Sequence, residues 1–450
     1  GKWISQLIRD YYQVDGKPLD ERNPKGLQDD YVKFIRFAQW HIEQTGYGIL
    51  AFVTNHGYLD NPTFRGMRQS LMQTFDDIYI LDLHGNSKKK EKAPDGGKDE
   101  NVFDIQQGVG IGIFVKRQGA KKQAATVRHA ELFGLREGKY QWLWEQDLAG
   151  TKWQTLQPNA PFYLFIPQNE ILREEYERGW QITKIMPVNS VGIVTSRDNL
   201  SIHFTPQEAQ DAISEFARLT AEGAHERFNL AKDSRDWQVA LAQADLKQAQ
   251  LDYSHPNEIA YRPFDNRFTY YTGRSRGFHS MPRPAVMRQM LNDNLSLLTS
   301  RMTKGEQFAH VFATRFISEK ILLSAKTSNN SFHFPLYLYS TAKTDLFDNS
   351  AAGGRRPNLA PAFIADFSQR LGMTFVPDGQ GDRVSTFGPE DVLHYAYAVF
   401  HSPEYRRRYA GFLKIDFPRL PLTSSPELFR NLCALGGKLV KLHLLEEIPP

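Results

Sequence analysis

Three apolar runs, GILAFVT (48–54), DIYILDL (77–83) and GVGIGIFVKR (108–117), constrain this chain more than any other feature. Continuous apolar runs of this length, bounded by loops, mark strands covered on both faces. Between the first two lie NHGYLDNPT and then FRGMRQSLMQTF, an amphipathic helix with Pro62 near its first turn. Ahead of them, DDYVKFIRFAQWHI places Tyr31, Phe34, Ile35, Ala38 and Ile42 at helical spacing, with Asp29 and Asp30 at the helix start. Strand–helix–strand with wholly apolar strands predicts an α/β layer with helices on the sheet faces. Three strands are too few for a doubly wound sheet to stand alone, so the segment reads as the tail end of such a domain.

The pattern then changes. A polar, Gly-rich insert, HGNSKKKEKAPDGGKDEN (84–101), separates the second and third runs, and KRQGAKKQAATVRHAELFG reads as an exposed connector or a strand edge. Short strand candidates follow (PFYLFIP, QITKIMPV, VGIVTSR), then helical stretches (PQEAQDAISEFARLTAEGAHERF, DWQVALAQADLKQAQ). A strand-like, turn-rich region runs to FHFPLYLYS (332–340), and the linker TAKTDLFDNSAAGGRRPNLAP leads into a final helical region. At 450 residues the chain holds more than one domain. A single cysteine, Cys433, excludes an internal disulfide framework and a Cys-based zinc cluster. With no apolar run of membrane-spanning length and an N-terminus too charged for a signal peptide, a cytoplasmic setting is expected.

The net charge of +4 averages over segments of opposite sign. From Tyr261 to Lys326 there are eleven Lys and Arg against four Asp and Glu, giving 11 − 4 = +7, so the remainder sums to 4 − 7 = −3. Within it, YRPFDNRFTYYTGRSRGFH interleaves Arg with aromatics. Arginine forks suit phosphate and guanine edges, and aromatics stack on bases, so this block is a candidate nucleic-acid surface. The competing reading is a solvated face whose aromatics are core strand residues.

Several motifs that could carry chemistry fail on context. Gly108, Gly110 and Gly112 share the spacing of a nucleotide loop, but a strand follows them where a helix N-terminus is required. Their spacing puts all three on one strand face, where they allow another backbone close approach. Asn61-Pro62 reads as a helix start. His394 and His401 lie two helical turns apart, without the spacing of a metal pair, and no metal site is predicted. Asp76-Asp77 reads as solvated charge at an element edge.

Taken together, DDYVKFIRFAQWHIEQTGYGILAFVTNHGYLDNPTFRGMRQSLMQTFDDIYILDLHGNSKKKE and DENVFDIQQGVGIGIFVKR resemble the second half of the catalytic domain of adenine-specific (N6) DNA methyltransferases. The type is that of single-polypeptide restriction–modification enzymes, Type I or Type IIG-like. The segments YRPFDNRFTYYTGRSRGFHSMPRP, LLTSRMTKG, FPLYLY and PEDVLHYAYAVFHSPEYRRRYAGFLKIDFPRLPL are similar to their target-recognition regions. The resemblance implies a partial Rossmann-like methyltransferase layer over 1–128, an α+β target-recognition domain over 129–340 and its helical C-terminal part over 341–450. It implies duplex DNA as partner and a missing N-terminal methyltransferase half, with nuclease or motor domains common in such parents. The S-adenosylmethionine glycine loop and the Asn-Pro-Pro-Tyr motif are absent from these 450 residues. The cofactor therefore belongs to the full-length parent, and tight binding to this chain is not expected. Enzymes acting on adenine N6 extrude the base from the helix, and an aromatic then replaces its lost stacking. By resemblance that aromatic is Phe103, unless it merely begins the strand. The expected DNA contacts are Arg262, Arg267, Tyr270, Arg274, Arg276, His279, Arg283, Arg301, Lys304, Arg315 and Lys326, with the Gly-flanked Arg274 and Arg276 as base readers. The competing class is a DNA-specificity module without chemistry of its own; a third is an RNA-binding α/β protein.

Overall fold

The computed structural model describes residues 2–19, 24–87, 91–119, 124–250, 254–303, 306–326, 329–340 and 354–447. The chain forms two compact units, Gly1–Ile171 and Leu172–Pro450. The division falls after Ile171, not at 128, because the first sheet continues past the third apolar run.

All three apolar runs are strands: β1 (Gly48–Asn55), β2 (Asp77–Asp82) and β3 (Val109–Lys116). Two further strands, β4 (Thr126–Glu131) and β5 (Gln154–Leu156), complete a five-stranded mixed sheet in the order β1-β3-β2-β4-β5. β3 runs antiparallel to both neighbours, while β2 and β4 are parallel. The stretch 116–134, expected as an exposed connector or a strand edge, holds instead a strand paired on both sides, and its residues 120–123 lie outside the described residues. α1 (Asp30–Thr45) and α2 (Arg65–Thr74) flank β1 in sequence, and Asn61 caps the turn into α2 by accepting from Thr63 N at 3.0 Å.

Two expectations in this unit are corrected. α1 buries Val32, Ile35, Arg36, Gln39 and Ile42, leaving Phe34 60% exposed, so the inward face is rotated from the one read by hydrophobicity. Polar Gln39 can sit inside because Tyr11 donates to its Oε1 and its Nε2 donates to Ser70 and Thr74 Oγ1. Asp77 is buried, not solvated, and is held by Arg117 at 2.5 Å and Arg128 at 2.8 Å. The strand glycines do permit close approach: a Cβ at Gly108 would meet the His56 ring at 2.4 Å, and one at Gly112 would meet Tyr58 Oη at 2.9 Å.

The second unit is an α+β body. A hairpin of β6 (Asn257–Arg262) and β7 (Asp265–Thr269) is extended by β10 (Ile317–Ser318), which pairs parallel to β6. A second sheet orders β9 (Val311–Thr314), β8 (Ser296–Ser300), β11 (Ser331–Pro335) and the short Ser190–Val191 strand, all antiparallel. α4 (Pro206–Phe216) and α5 (Val239–Ala249) form a satellite core with Trp237, Tyr270 and Phe278. The C-terminal helices α6 (Pro361–Leu371), α7 (Pro389–His401) and α8 (Pro426–His443) share one core with β8, β9 and β11 through Leu297, Val311, Phe334, Phe363, Tyr397 and Phe429. The predicted linker falls mostly on 341–353, outside the described residues. Of the strand candidates, QITKIMPV instead contains a helical turn, Ile182–Ile185, and PFYLFIP is a loop that buries Leu164 and Phe165.

Candidate nucleic-acid interface and stacking loop

The basic block is less free than its composition suggests. Arg262 pairs with Glu319 at 2.9 Å, Arg301 with Asp416 at 3.1 Å, Arg315 with Glu446 at 2.6 Å and Lys326 with Glu306 at 3.1 Å. Asp416 and Glu446 lie far outside 261–326, so a window sum counts Arg301 and Arg315 without their partners. Arg267 forks onto Asp265 and lies over the rings of Phe204 and Tyr261. Exposed pairs such as Arg315–Glu446 contribute at most about 1 kcal/mol, so phosphate can compete for them. Arg283 has a left-handed backbone and donates to Met281 Sδ, and Lys304 lies outside the described residues.

Two expected DNA contacts are corrected. Tyr270 belongs to the satellite core, and His279 is fully buried with its Nε2 against Thr269 Oγ1 at 3.0 Å. Burial pushes the His279 pKa down to about 4. Alternation of Arg and aromatics along this stretch suggests an outward face, yet Tyr270, Tyr271, Phe278 and His279 are buried while Phe264 is exposed.

Arg274 and Arg276 are placed differently: both are exposed, on a turn rooted in the core. Buried Asp245 on α5 accepts from Thr272 Oγ1 at 2.6 Å and from Phe278 N at 2.8 Å, closing the base of the turn. Gly277 passes so near that a Cβ there would meet Asp245 Oδ2 at 2.1 Å. Trp237 Nε1 donates to Phe278 O at 3.0 Å, fixing the far side. Arg276 has φ 59° and its N donates to Ser280 O, while Arg274 donates to Gln248. The result is an Arg-Ser-Arg tip on a rigid base, the arrangement that lets forked donors enter a groove without ordering a loop. Asp245 carried no signal of this role in the sequence, since it reads as one acid on an amphipathic helix.

In the first unit, Phe103 lies in the loop before β3 and is 49% exposed, whereas Val102 beside it is buried. The aromatic therefore does not begin the strand or fill the core. Near this loop His56, Asp82 and His84, all buried, bring one ligand atom each within 4.8 Å of one another. The two histidines stand 28 positions apart, which hides the group from spacing arguments. These atoms are already engaged: His56 Nδ1 donates to Asp82 Oδ1 at 2.9 Å, Asn86 Nδ2 to His56 Nε2 at 3.2 Å, and His84 Nδ1 to Glu91 Oε1 at 3.2 Å. His84 Nε2 sits 3.5 Å from Glu131, and its ring stacks on Phe133 with centroids 3.7 Å apart. Burial opposes the charge on His84, but Glu131, Glu91 and Asp82 outweigh it and raise its pKa to about 9. The group is a hydrogen-bonded ion network tying β2 and the polar insert together. His394 is buried and His401 half-buried, and burial lowers their pKa values to about 4 and 3.

The space in front of Gly108 and Gly112 is filled by His56, Tyr58 and Phe114, so the spacing of the strand glycines is spent on packing.

Among the described residues no helix is long and apolar enough to cross a membrane. No curated protein matches the chain. Solved structures do. A cryo-EM DrdV–DNA complex aligns at TM-score 0.69 and 25% identity, covering 100% of this chain and 42% of that one. The ATP-dependent Type ISP restriction–modification enzyme LlaBIII bound to DNA aligns at TM-score 0.68 and 22% identity, covering 100% of this chain and 28% of that one. A nuclease-deletion mutant of the Type ISP enzyme LlaGI with a DNA substrate mimic aligns at TM-score 0.65 and 21% identity, covering 100% and 40%. The chain thus spans well under half the length of each. Residues 184–450, more than half of the chain and nearly all of its second unit, match one family, and the chain belongs to it: the Type ISP C-terminal specificity domain.

Proposed function

We propose that this chain selects the DNA target of a Type ISP restriction–modification enzyme, its second unit reading duplex sequence. The observation that carries this reading is the exposed Arg274-Ser275-Arg276 tip, rooted on buried Asp245 within the specificity domain. Phosphate contacts from the paired arginines of the basic block would set register, and the tip would read base edges.

The first unit, in this reading, is the second half of an adenine-N6 methyltransferase of Rossmann-like type, and Phe103 stacks on the extruded adenine. Support comes from β1. Its apolar run implies cover on both faces, yet it is an edge strand on which Ile49 is 68% and Val53 44% exposed. An open, apolar edge strand is a template for further pairing, and the preceding methyltransferase half is the segment that would supply it. Methyl-donor binding and the transfer itself fall to that half, since the glycines here are spent on packing.

Selection on random duplex DNA with this chain tests the proposal. A defined consensus that is lost in Arg274→Ala/Arg276→Ala supports it. Equal retention of all duplexes, or preference for RNA, refutes it.

A further inference from the structure

We infer that the helix α3 (Arg136–Glu145) is a positioning element for the stacking loop, and that Arg136, Lys139 and Tyr140 set the place of Phe103 by gripping its backbone. The inference rests on the reading of Phe103 as the base-stacking aromatic. It starts from an accounting of carbonyls. A segment without regular structure leaves its backbone groups to water or to side chains. Here four successive carbonyls are all taken by one helix: Glu100 O accepts from Lys139 Nζ at 2.6 Å, Asn101 O from Arg136 Nε at 2.8 Å, Val102 O from Tyr140 Oη, and Phe103 O from Arg136 Nη2 at 3.0 Å. Positions 136, 139 and 140 are spaced i, i+3, i+4 and so share one helical face.

The grip extends to the flanks. Arg136 Nη1 pairs with Asp104 at 2.8 Å, and Lys139 Nζ pairs with Asp99 at 2.7 Å while donating to Leu83 O at 2.7 Å. Phe103 N donates to Asn101 Oδ1 at 2.9 Å, and Asn101 Nδ2 donates to Gly85 O and Gln107 O. Both backbone polar groups of Phe103 are therefore occupied, Val102 is anchored in the core, and the ring alone projects outward. A stacking surface works only if it stands ready when the base arrives, because a misplacement of about 1 Å can cost about a hundredfold in rate. Three side chains whose donors converge on this one strip of backbone meet that need.

The test uses the full-length enzyme with Arg136→Gln/Tyr140→Phe, Arg136→Lys and Phe103→Ala, all checked for duplex affinity and melting temperature. Hydrogen exchange of the 99–107 peptide reads the grip directly. In Arg136→Gln/Tyr140→Phe it should speed up by about tenfold or more while the rest of the first unit is unchanged. Emission from 2-aminopurine at the target position and methyl transfer should fall about tenfold or more, with duplex affinity held. Arg136→Lys should recover part of both. Unchanged exchange overturns the inference, as does faster exchange with flipping intact in a protein whose Phe103→Ala variant has lost it. Faster exchange throughout the unit also overturns it, since α3 would then be ordinary core. If Phe103→Ala keeps full flipping and methylation, the stacking reading fails instead, and the exchange result still decides whether α3 holds the loop.

Discussion

The Lys139–Asp99 pair offers a test of how the first unit is held together. Both side chains are fully removed from solvent, and the ammonium has three partners: Asp99 Oδ1 and the carbonyls of Leu83 and Glu100. Asp99 in turn accepts from Gly85 N at 2.6 Å and Gly134 N at 2.9 Å. Lys139→Met keeps the length of the side chain and removes the charge, leaving a buried carboxylate with two backbone donors and no cation. Breaking one side of a buried pair costs about 3–5 kcal/mol, most of it the penalty of the stranded charge. Urea unfolding followed by tryptophan fluorescence suits the measurement, because Trp3, Trp40, Trp142, Trp144 and Trp153 lie in the first unit and only Trp180 and Trp237 in the second. The two units call for separate transitions in the fit. At a slope of about 2 kcal/mol/M, the first-unit midpoint should fall by about 1.5–2.5 M, with the second-unit transition unmoved. Adding Asp99→Asn removes the stranded charge and should recover at least about 1 kcal/mol. A midpoint shift below about 0.5 M, or a double variant no better than Lys139→Met, would show that the pair is hydrated in solution and the reasoning wrong.

Replacing Arg274 and Arg276 by Ala should cost about 1–3 kcal/mol per base-reading contact and relax the sequence preference, whereas Arg315→Ala should instead lower the log–log salt slope by about 0.9; competition binding at several salt concentrations separates the two. Phe103→Ala in the full-length enzyme should abolish methylation and 2-aminopurine emission, while Phe103→Trp keeps much of both. Equal losses that track a lower melting temperature would make the residue structural. His84 and the buried histidines of the second unit should respond to pH in opposite senses. His84, raised to about 9, contributes stability that is full below about pH 6.5 and lost as pH rises through 9. His279, His333 and His394, lowered to about 4, favour unfolding as pH falls from about 6.5 toward 4, since only the unfolded chain takes up the protons. Melting of each unit between pH 4 and 9.5 checks this, and His84→Gln should flatten the alkaline limb of the first. Calorimetric titration with S-adenosylmethionine should give no stoichiometric micromolar site on this chain.

Hydrophobic pattern alone placed β1, β2, β3, α1 and α2, because each run must be covered and its period selects the element that allows it. The reading of Gly108, Gly110 and Gly112 as a packing face rather than a nucleotide loop followed from the same local logic. Charge and role were another matter. Whether Arg262 or Arg315 is a free cation depends on Glu319 and Glu446, which sequence distance conceals and folding brings to within 3 Å. Tyr270 and His279 looked like surface groups because an Arg-aromatic alternation has no marker for which side faces the core. The inward face of α1 shifted because Gln39 found hydrogen-bond partners on α2, which hydropathy cannot anticipate. Asp245 under the Arg274–Arg276 turn and the Arg136, Lys139 and Tyr140 grip on the Phe103 loop arise from residues about 30 positions apart meeting in space. Local periodicity decides which elements form; only their packing decides which polar groups are neutralised, which are buried, and which are left to act.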